Sequence, residues 1–218
     1  MLLTKLGHAC VRLEKGASRV VIDPGSFSAP DALYGADAVL VTHEHADHVV
    51  PFALRSDLQA RPDLEVWAPA GVVDQLLEGA PELADRVHAV RAGDTFAVAG
   101  FDVEVAGELH AVVHPDLARV SNVAYLVDGA LLHPGDSFTV PAAPVDVLLA
   151  PIAAPWLKLS EVVDYIRAVA PRLVVPIHDA TYSRIGGDLD DRLLGPHGIG
   201  IGGAEYRRLT DGERVDLG

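Results

Sequence analysis

The densest chemistry in the chain lies in six residues, His43-Glu44-His45-Ala46-Asp47-His48. Three imidazoles and an aspartate this close together cannot be core. Burying so many polar groups without partners would cost several kcal/mol. Imidazole nitrogens suit zinc, iron and similar metals, and a carboxylate completes such a ligand set. Residues 43 and 45 alternate, so on an extended segment their side chains point the same way. Asp47 and His48 lie past the bend and can face a second centre. The competing reading is a chance cluster on a solvated loop. The run, however, directly follows Ala38-Val39-Leu40-Val41, the continuously apolar stretch of a strand buried on both faces. That places the six residues at a strand's carboxyl end, opening a helix near 47–58.

The elements that must position this segment are mostly strands in the first quarter. Val11-Arg12-Leu13 and Val20-Val21-Ile22 flank Glu14 to Ser18 and read as a hairpin. Asp23-Pro24-Gly25 ends the second strand. A second helix is expected near 71–77. Strands return at 96–98 and 101–105. Ala124 to Val127 and Ala130 to Leu132 flank Asp128-Gly129, the strongest hairpin signal. Residues 145–149 and 173–175 are apolar strands. Ser160 is placed to cap a helix running to about Ala170, with Glu161 in its first turn and Pro171 at its end. The stretch from Gly195 to Gly203 reads as loop, and no lysine-serine or lysine-threonine pair makes it a phosphate loop.

The 218 residues suit one domain, 1–218, and half of them are hydrophobic. No apolar run reaches the ~18 residues of a membrane span. Met1 to His8 lacks the apolar core and cleavage site of a signal peptide. The single cysteine, Cys10, excludes an internal disulfide and fits a reducing cytoplasm; it reads as a small core residue. The formal net charge of −14 repels nucleic acid and anionic lipid at long range. The expected partner is a small molecule, with neither nucleic acid nor membrane, and self-association into a homo-oligomer is left open.

His43-x-His45-x-Asp47-His48 resembles the signature of the metallo-β-lactamase superfamily. Leu6-Gly7-His8-Ala9 and Val21-Ile22-Asp23-Pro24-Gly25 resemble its lactonase-like, metal-dependent hydrolase branch. Later motifs follow in the family's order: His110 after strand 101–105, Pro134-Gly135-Asp136, and Pro176-Ile177-His178. The resemblance implies an α/β fold, a four-layered αββα sandwich with metals at one edge. It implies His43, His45 and His110 on a first ion, Asp47, His48 and His178 on a second, and Asp136 bridging them. The cofactor expected is two divalent metal ions, zinc first, with iron or manganese as substitutes. A bridging hydroxide would then attack the substrate at neutral pH. Asp47 is the catalytic candidate, since a carboxylate beside that water could orient it or carry its proton.

Other positions carry two readings each. His114 competes with His110, which lies closer to the strand end. His8 either lines the pocket or is a surface or core histidine. His133 is a supporting or structural residue, and His88 and His197 look bland. Asp23 either accepts a hydrogen bond from a ligating histidine or stabilises its turn. Trp156 is a candidate pocket wall, and Lys158 either meets an anion or is merely solvated. The leading function is metal-dependent hydrolysis of a small ester, lactone or phosphodiester. The rivals are a non-hydrolytic di-iron redox protein and a catalytically degenerate metal-binding module. Asp136 stands where a true β-lactamase would have cysteine, and the chain lacks the extra domains of an RNA-processing nuclease or a glutathione thioesterase.

Overall fold

Two seven-stranded mixed sheets pack face to face in the computed structural model, which describes residues 1–218. In chain order the elements are β1 (Leu2–Lys5), β2 (Val11–Lys15), β3 (Ser18–Ile22), β4 (Ala38–Leu40), α1 (Pro51–Ala60), β5 (Glu65–Ala68) and α2 (Ala70–Leu77). A 3-10 turn (Pro81–Arg86) leads to β6 (Val87–Ala89), β7 (Thr95–Val98), β8 (Phe101–Ala106), β9 (Ala124–Val127), β10 (Leu131–His133) and β11 (Val147–Pro151). Then come α3 (Leu159–Val169), β12 (Leu173–Ile177), α4 (Arg184–Leu194), β13 (Glu205–Tyr206) and β14 (Arg214–Asp216). The first sheet runs β14-β1-β2-β3-β4-β5-β6 and the second β13-β12-β11-β10-β9-β8-β7.

Alternation along the strands sorts the apolar side chains into three layers. Leu13, Val20, Ile22 and Leu40 of the first sheet meet Val103, Tyr125, Leu149 and Val175 of the second between the sheets. Val21, Val39 and Val66 point the other way, onto Leu54 and Leu58 of α1 and Val72 and Leu76 of α2. Leu126, Leu148 and Val174 face Val162 and Ile166 of α3 and Leu194 of α4. The result is the four-layered αββα sandwich. Tyr125, fully buried, ties the sheets together: its hydroxyl donates to the carbonyls of Val41 (2.9 Å) and Trp67 (3.1 Å).

Strand direction decides where the site lies. β1 and β3 each pair antiparallel with β2, and β4 runs parallel to β3. In the second sheet β8 and β10 each pair antiparallel with β9, and β11 and β12 run parallel to β10. The loops after β1, β3 and β4 therefore leave one end of the first sheet. Those after β8, β10, β11 and β12 leave one end of the second. His8, Asp23, the 43–48 run, His110, Asp136, Trp156 and His178 all follow these strands.

Several expectations shift. The helix expected from Asp47 begins at Pro51. His48 and Val49 donate their N–H groups to the His45 carbonyl instead, so the histidine run is a turn, and proline's preset φ starts the helix. Ser160 does not cap α3: Lys158 occupies the cap position, and its N–H donates to the Glu161 carboxylate at 2.9 Å. Strand 130–132 begins one residue later, because Ala130 closes the turn onto Val127. Strand 145–149 runs instead as β11, and strand 173–175 extends to Ile177. Helix α4 was not anticipated, since Gly186 and Gly187 in its first turn hide its periodicity.

Asp190 on α4 is 4 % exposed, and its Oδ2 has no hydrogen-bond partner. Burial pushes its carboxyl pKa up to about 6, against the opposing charge of Arg208. The folded chain thus keeps a proton that the unfolded chain has lost. The stability this contributes is full below the ordinary value of 3.8 and is lost as pH rises through about 6. Asp190→Asn, which cannot ionise, is expected to raise the melting temperature most above pH 6. The gain should shrink toward pH 4 in a thermal-melt series across that range.

Candidate metal centre

The sandwich edge gathers its polar residues into two adjoining groups. His43, His45, His110 and Asp136 form one, and His8, Asp47, His48 and His178 the other. Within each group the ligand-type atoms lie within 4.8 Å of one another. All seven residues expected from the sequence to bind metal are therefore brought together. His8 joins them, whereas His114 is exposed on the following loop, 3.5 Å from Asp116. His88 lies 3.9 Å from Glu65, and His197 is exposed, both outside the groups.

Asp136 links the two groups. Its Oδ2 stands 3.2 Å from His110 Nε2 and 3.1 Å from His178 Nε2, and its Oδ1 3.1 Å from His48 Nε2. Its position is enforced from behind. The Asp136 N–H donates to Asn122 Oδ1 at 2.9 Å, Asn122 Nδ2 donates to the Pro134 carbonyl, and Trp156 Nε1 donates to Asp136 Oδ2 at 3.0 Å. Gly135 between them has φ 60, and a Cβ there would collide with Asn122 and Thr42. Only glycine fits that approach.

The outward ring nitrogens of four histidines each meet an acceptor. His48 Nδ1 donates to Asp23 Oδ2 (2.7 Å), His110 Nδ1 to the Ala111 carbonyl (2.6 Å) and His178 Nδ1 to the Ala153 carbonyl (2.6 Å). Thr42 Oγ1 gives its hydrogen to Asp23, so it accepts from His43 Nδ1 at 3.0 Å. In the neutral ring a hydrogen on Nδ1 leaves a bare lone pair on Nε2. The lone pairs of His48, His110 and His178 face the Asp136 oxygens, and that of His43 faces His45 Nδ1 at 3.1 Å. Nε2 of His48, Nε2 of His178 and Oδ1 of Asp136 are buried without a hydrogen-bond partner. Lone pairs facing lone pairs in a buried pocket need positive charge between them. Nitrogen and carboxylate donors of this kind suit divalent zinc, iron or manganese, so the residues fit the ions expected of them.

The titration behaviour follows the same geometry. Burial lowers the His178 pKa, but Asp136 and Asp47 override it and hold it up at about 9. Burial likewise works against His48, while Asp136 and Asp23 raise it well above the usual imidazole value. Asp47 is opposed by burial yet held well below the usual carboxylate range by His178 and His8. His43 and His133, deeply buried, are lowered by desolvation. His133 Nε2 donates to the Ala9 carbonyl, and its Nδ1 accepts from the Gly135 N–H. That is a structural role. Cys10 is buried and its thiol is pushed up to about 12 by burial, so it is inert packing.

Asp23 accepts from His48 and also from the N–H and hydroxyl of Thr42, both at 2.7 Å. Its two readings are thus both realised in one residue. Trp156 reaches the Asp136 carboxylate, while the Lys158 side chain is exposed and makes no ion pair. Thr42, Asn122 and Arg119, whose Nε donates to the His110 carbonyl at 2.6 Å, were not singled out from the sequence. Thr42 is flagged by its place beside His43. Asn122 carries no local signal.

An αββα sandwich with a histidine-rich edge fed by both sheets defines the metallo-β-lactamase type of protein. Residues 2–178 match the family described as β-lactamase superfamily domain, and the chain belongs to it. Among its relatives is Protein Rv0786c of Mycobacterium tuberculosis, 41 % identical and covering 100 % of this chain and 95 % of that protein. Another is UPF0173 protein PF0020 of Pyrococcus furiosus, 30 % identical over 81 % of this chain and 82 % of that one. Of solved structures, Igni18, a metallo hydrolase of Ignicoccus hospitalis, superimposes with TM-score 0.72 at 18 % identity. The match spans 98 % of this chain and 97 % of Igni18, and shows the shared fold.

Asp23→Asn keeps the size of the side chain but turns an NH2 toward donors. It is expected to lower metal affinity by about 10–100-fold, read by chelator competition. His110→Ala should do at least as much, and His114→Ala should leave affinity within error of wild type.

Proposed function

We propose that this protein is a metal-dependent hydrolase that works with two divalent ions on a small ester, lactone or phosphodiester. The observation that carries the reading is the convergence of bare imidazole and carboxylate lone pairs on two adjoining points joined by Asp136. His43, His45 and His110 would hold the first ion, and Asp47, His48 and His178 the second, with Asp136 shared. Two such ions supply a hydroxide nucleophile at neutral pH and polarise the substrate's oxygen. Asp47, ionised and partly open to solvent, would orient the attacking water. The Trp156 indole holds the Asp136 carboxylate and walls one side. The description of Igni18 as a metallo hydrolase supports the reaction class.

The space beside the site supports a small substrate. A cavity of about 240 Å³ opens on His45 and His110 and is walled by Ala111, Val113, Leu117 and Val120, with Arg119 at its side. At ~30 Å³ per water molecule it holds about eight waters, room for a short apolar acyl or alkyl group. A chain of net charge −14 would repel a polyanion over many phosphates. No helix is long and apolar enough to cross a membrane. A small-molecule partner and a cytoplasmic setting are part of the proposal.

Elemental analysis of zinc-loaded protein is expected to give two equivalents per chain. Removal by chelator should lower the melting temperature by several degrees, because ions that bind only the native state stabilise it. A panel of short-chain esters, lactones, phosphodiesters, RNA and DNA is expected to show turnover on the small molecules. Polynucleotide cleavage without small-molecule turnover would overturn the substrate assignment. One equivalent or less would overturn the two-ion site.

A further inference from the structure

His8 differs from His43, His48, His110 and His178 in the tautomer its surroundings impose. It follows β1 in the left-handed region, with φ 47, and is 2 % exposed. The Ala180 N–H donates to its Nδ1 at 3.2 Å. A backbone N–H can only donate, so Nδ1 presents its lone pair and the ring hydrogen sits on Nε2. Nε2 lies 3.2 Å from Asp47 Oδ2. His43, His48, His110 and His178 carry the opposite tautomer, with Nδ1 donating outward and Nε2 bare. His8 thus brings a hydrogen to the group where those four bring lone pairs.

We propose that His8 is a positioning residue rather than a metal ligand: its Nε2–H fixes the Asp47 carboxylate for the second ion. The inference rests on the two-ion reading above. Asp47 needs such a support. Its side chain is 25 % exposed, against 0–4 % for His48, Asp136 and His178. It sits on a turn, and its carboxylate receives no hydrogen bond other than the one from His8. His178 Nε2, at 3.5 Å, approaches without one.

The His8 ring is itself braced. It packs edge-on against Phe27 at 5.3 Å and lies 4.0 Å from the His178 ring. The His178 N–H donates to the His8 carbonyl at 3.1 Å. Lys5, on the same N-terminal segment, donates to Asp179 at 2.9 Å. The first loop is therefore clamped to the 178–180 loop at three points, and His8 transmits that fixed position to Asp47.

The test compares wild type with His8→Ala, His8→Phe and His8→Gln, using zinc as the probe. Zinc equivalents at saturation, affinity for the second equivalent by chelator competition, and kcat and KM are measured. All four proteins are expected to bind two equivalents at saturation. Loss of the donor in the Ala and Phe variants should weaken the second equivalent by about 10–100-fold and lower kcat more than it raises KM. Gln carries an Nε2–H of its own and should return affinity to within a few-fold of wild type. The Phe variant keeps a ring for packing, so wild-type affinity there would reduce His8 to a packing role and overturn the proposal. Saturation at one equivalent in both Ala and Gln would make His8 a ligand and overturn it equally. One equivalent or less in wild type would overturn the two-ion reading itself, and the proposal with it.

Discussion

Asp136 is 3 % exposed, and both its oxygens stand within 3.2 Å of imidazole Nε2 atoms. A buried carboxylate is tolerated only when positive charge or several donors compensate it. The fold provides one neutral donor to the carboxylate, the Trp156 indole, while the residue's own N–H is spent on Asn122. No lysine or arginine reaches it; every charged partner is a histidine. The compensating charge must therefore be a mobile one, a proton on imidazole or a cation among the lone pairs. A site built around exchangeable positive charge differs from a structural ion pair. A structural pair would use the fixed charge of an arginine, as Arg208 does with Asp179 and Asp191 elsewhere in this chain.

The rest of the edge follows from holding that carboxylate and its imidazoles still. Side chains on separate loops are placed only as well as their backbones are. Each loop here leaves a buried strand and is tied across to another. The Val123 N–H donates to the Thr42 carbonyl, joining the sheets beside the histidine run. The Ser26 N–H donates to the Ala46 carbonyl, and Gly25 lies so close to Asp47 and His48 that a Cβ would overlap their backbone. The Ala111 N–H donates to the Asp136 carbonyl, so the His110 loop moves with the bridging residue. Asp23 is the junction of this scaffold: one buried carboxylate orients His48 directly and His43 through Thr42.

What could be read from the sequence was what depends on local spacing. Strand β4 and the run after it announce themselves, because a fully apolar stretch followed by alternating imidazoles has few other uses. The hairpins around Gly100 and Gly129 are written in their turn residues. The resemblance supplied His110, Asp136 and His178, which no local period connects to residue 43. Partners defined only by the packing of distant loops were not legible. Asn122 is separated from Asp136 by fourteen positions, and Ala180 from His8 by 172. Nothing in composition marks either pair. Helix α4 was hidden for a different reason: glycines and acidic residues interrupt its apolar period, and of its residues only Asp190 and Leu194 are buried.

Backbone strain shows where the chain accepts a cost for function. Six non-glycine residues have positive φ: His8, Asp23, Ala99, Asp128, Ala170 and His178. Ala99 and Asp128 stand at hairpin tips and Ala170 at the end of α3, where left-handed residues close ordinary turns. The other three belong to the candidate metal centre. Each left-handed residue costs about 1–3 kcal/mol, and glycine would relieve it, yet at these positions a side chain is required. Glycine in their place would remove an acceptor for Thr42 and His48, a donor to Asp47 or an imidazole beside Asp136. All three follow a strand that ends in a buried sheet, which is rigid enough to impose the conformation. The strained positions and the tautomer-determining hydrogen bonds therefore coincide. The sheets hold these backbones in an unfavourable conformation, and that conformation aims the side chains at one edge.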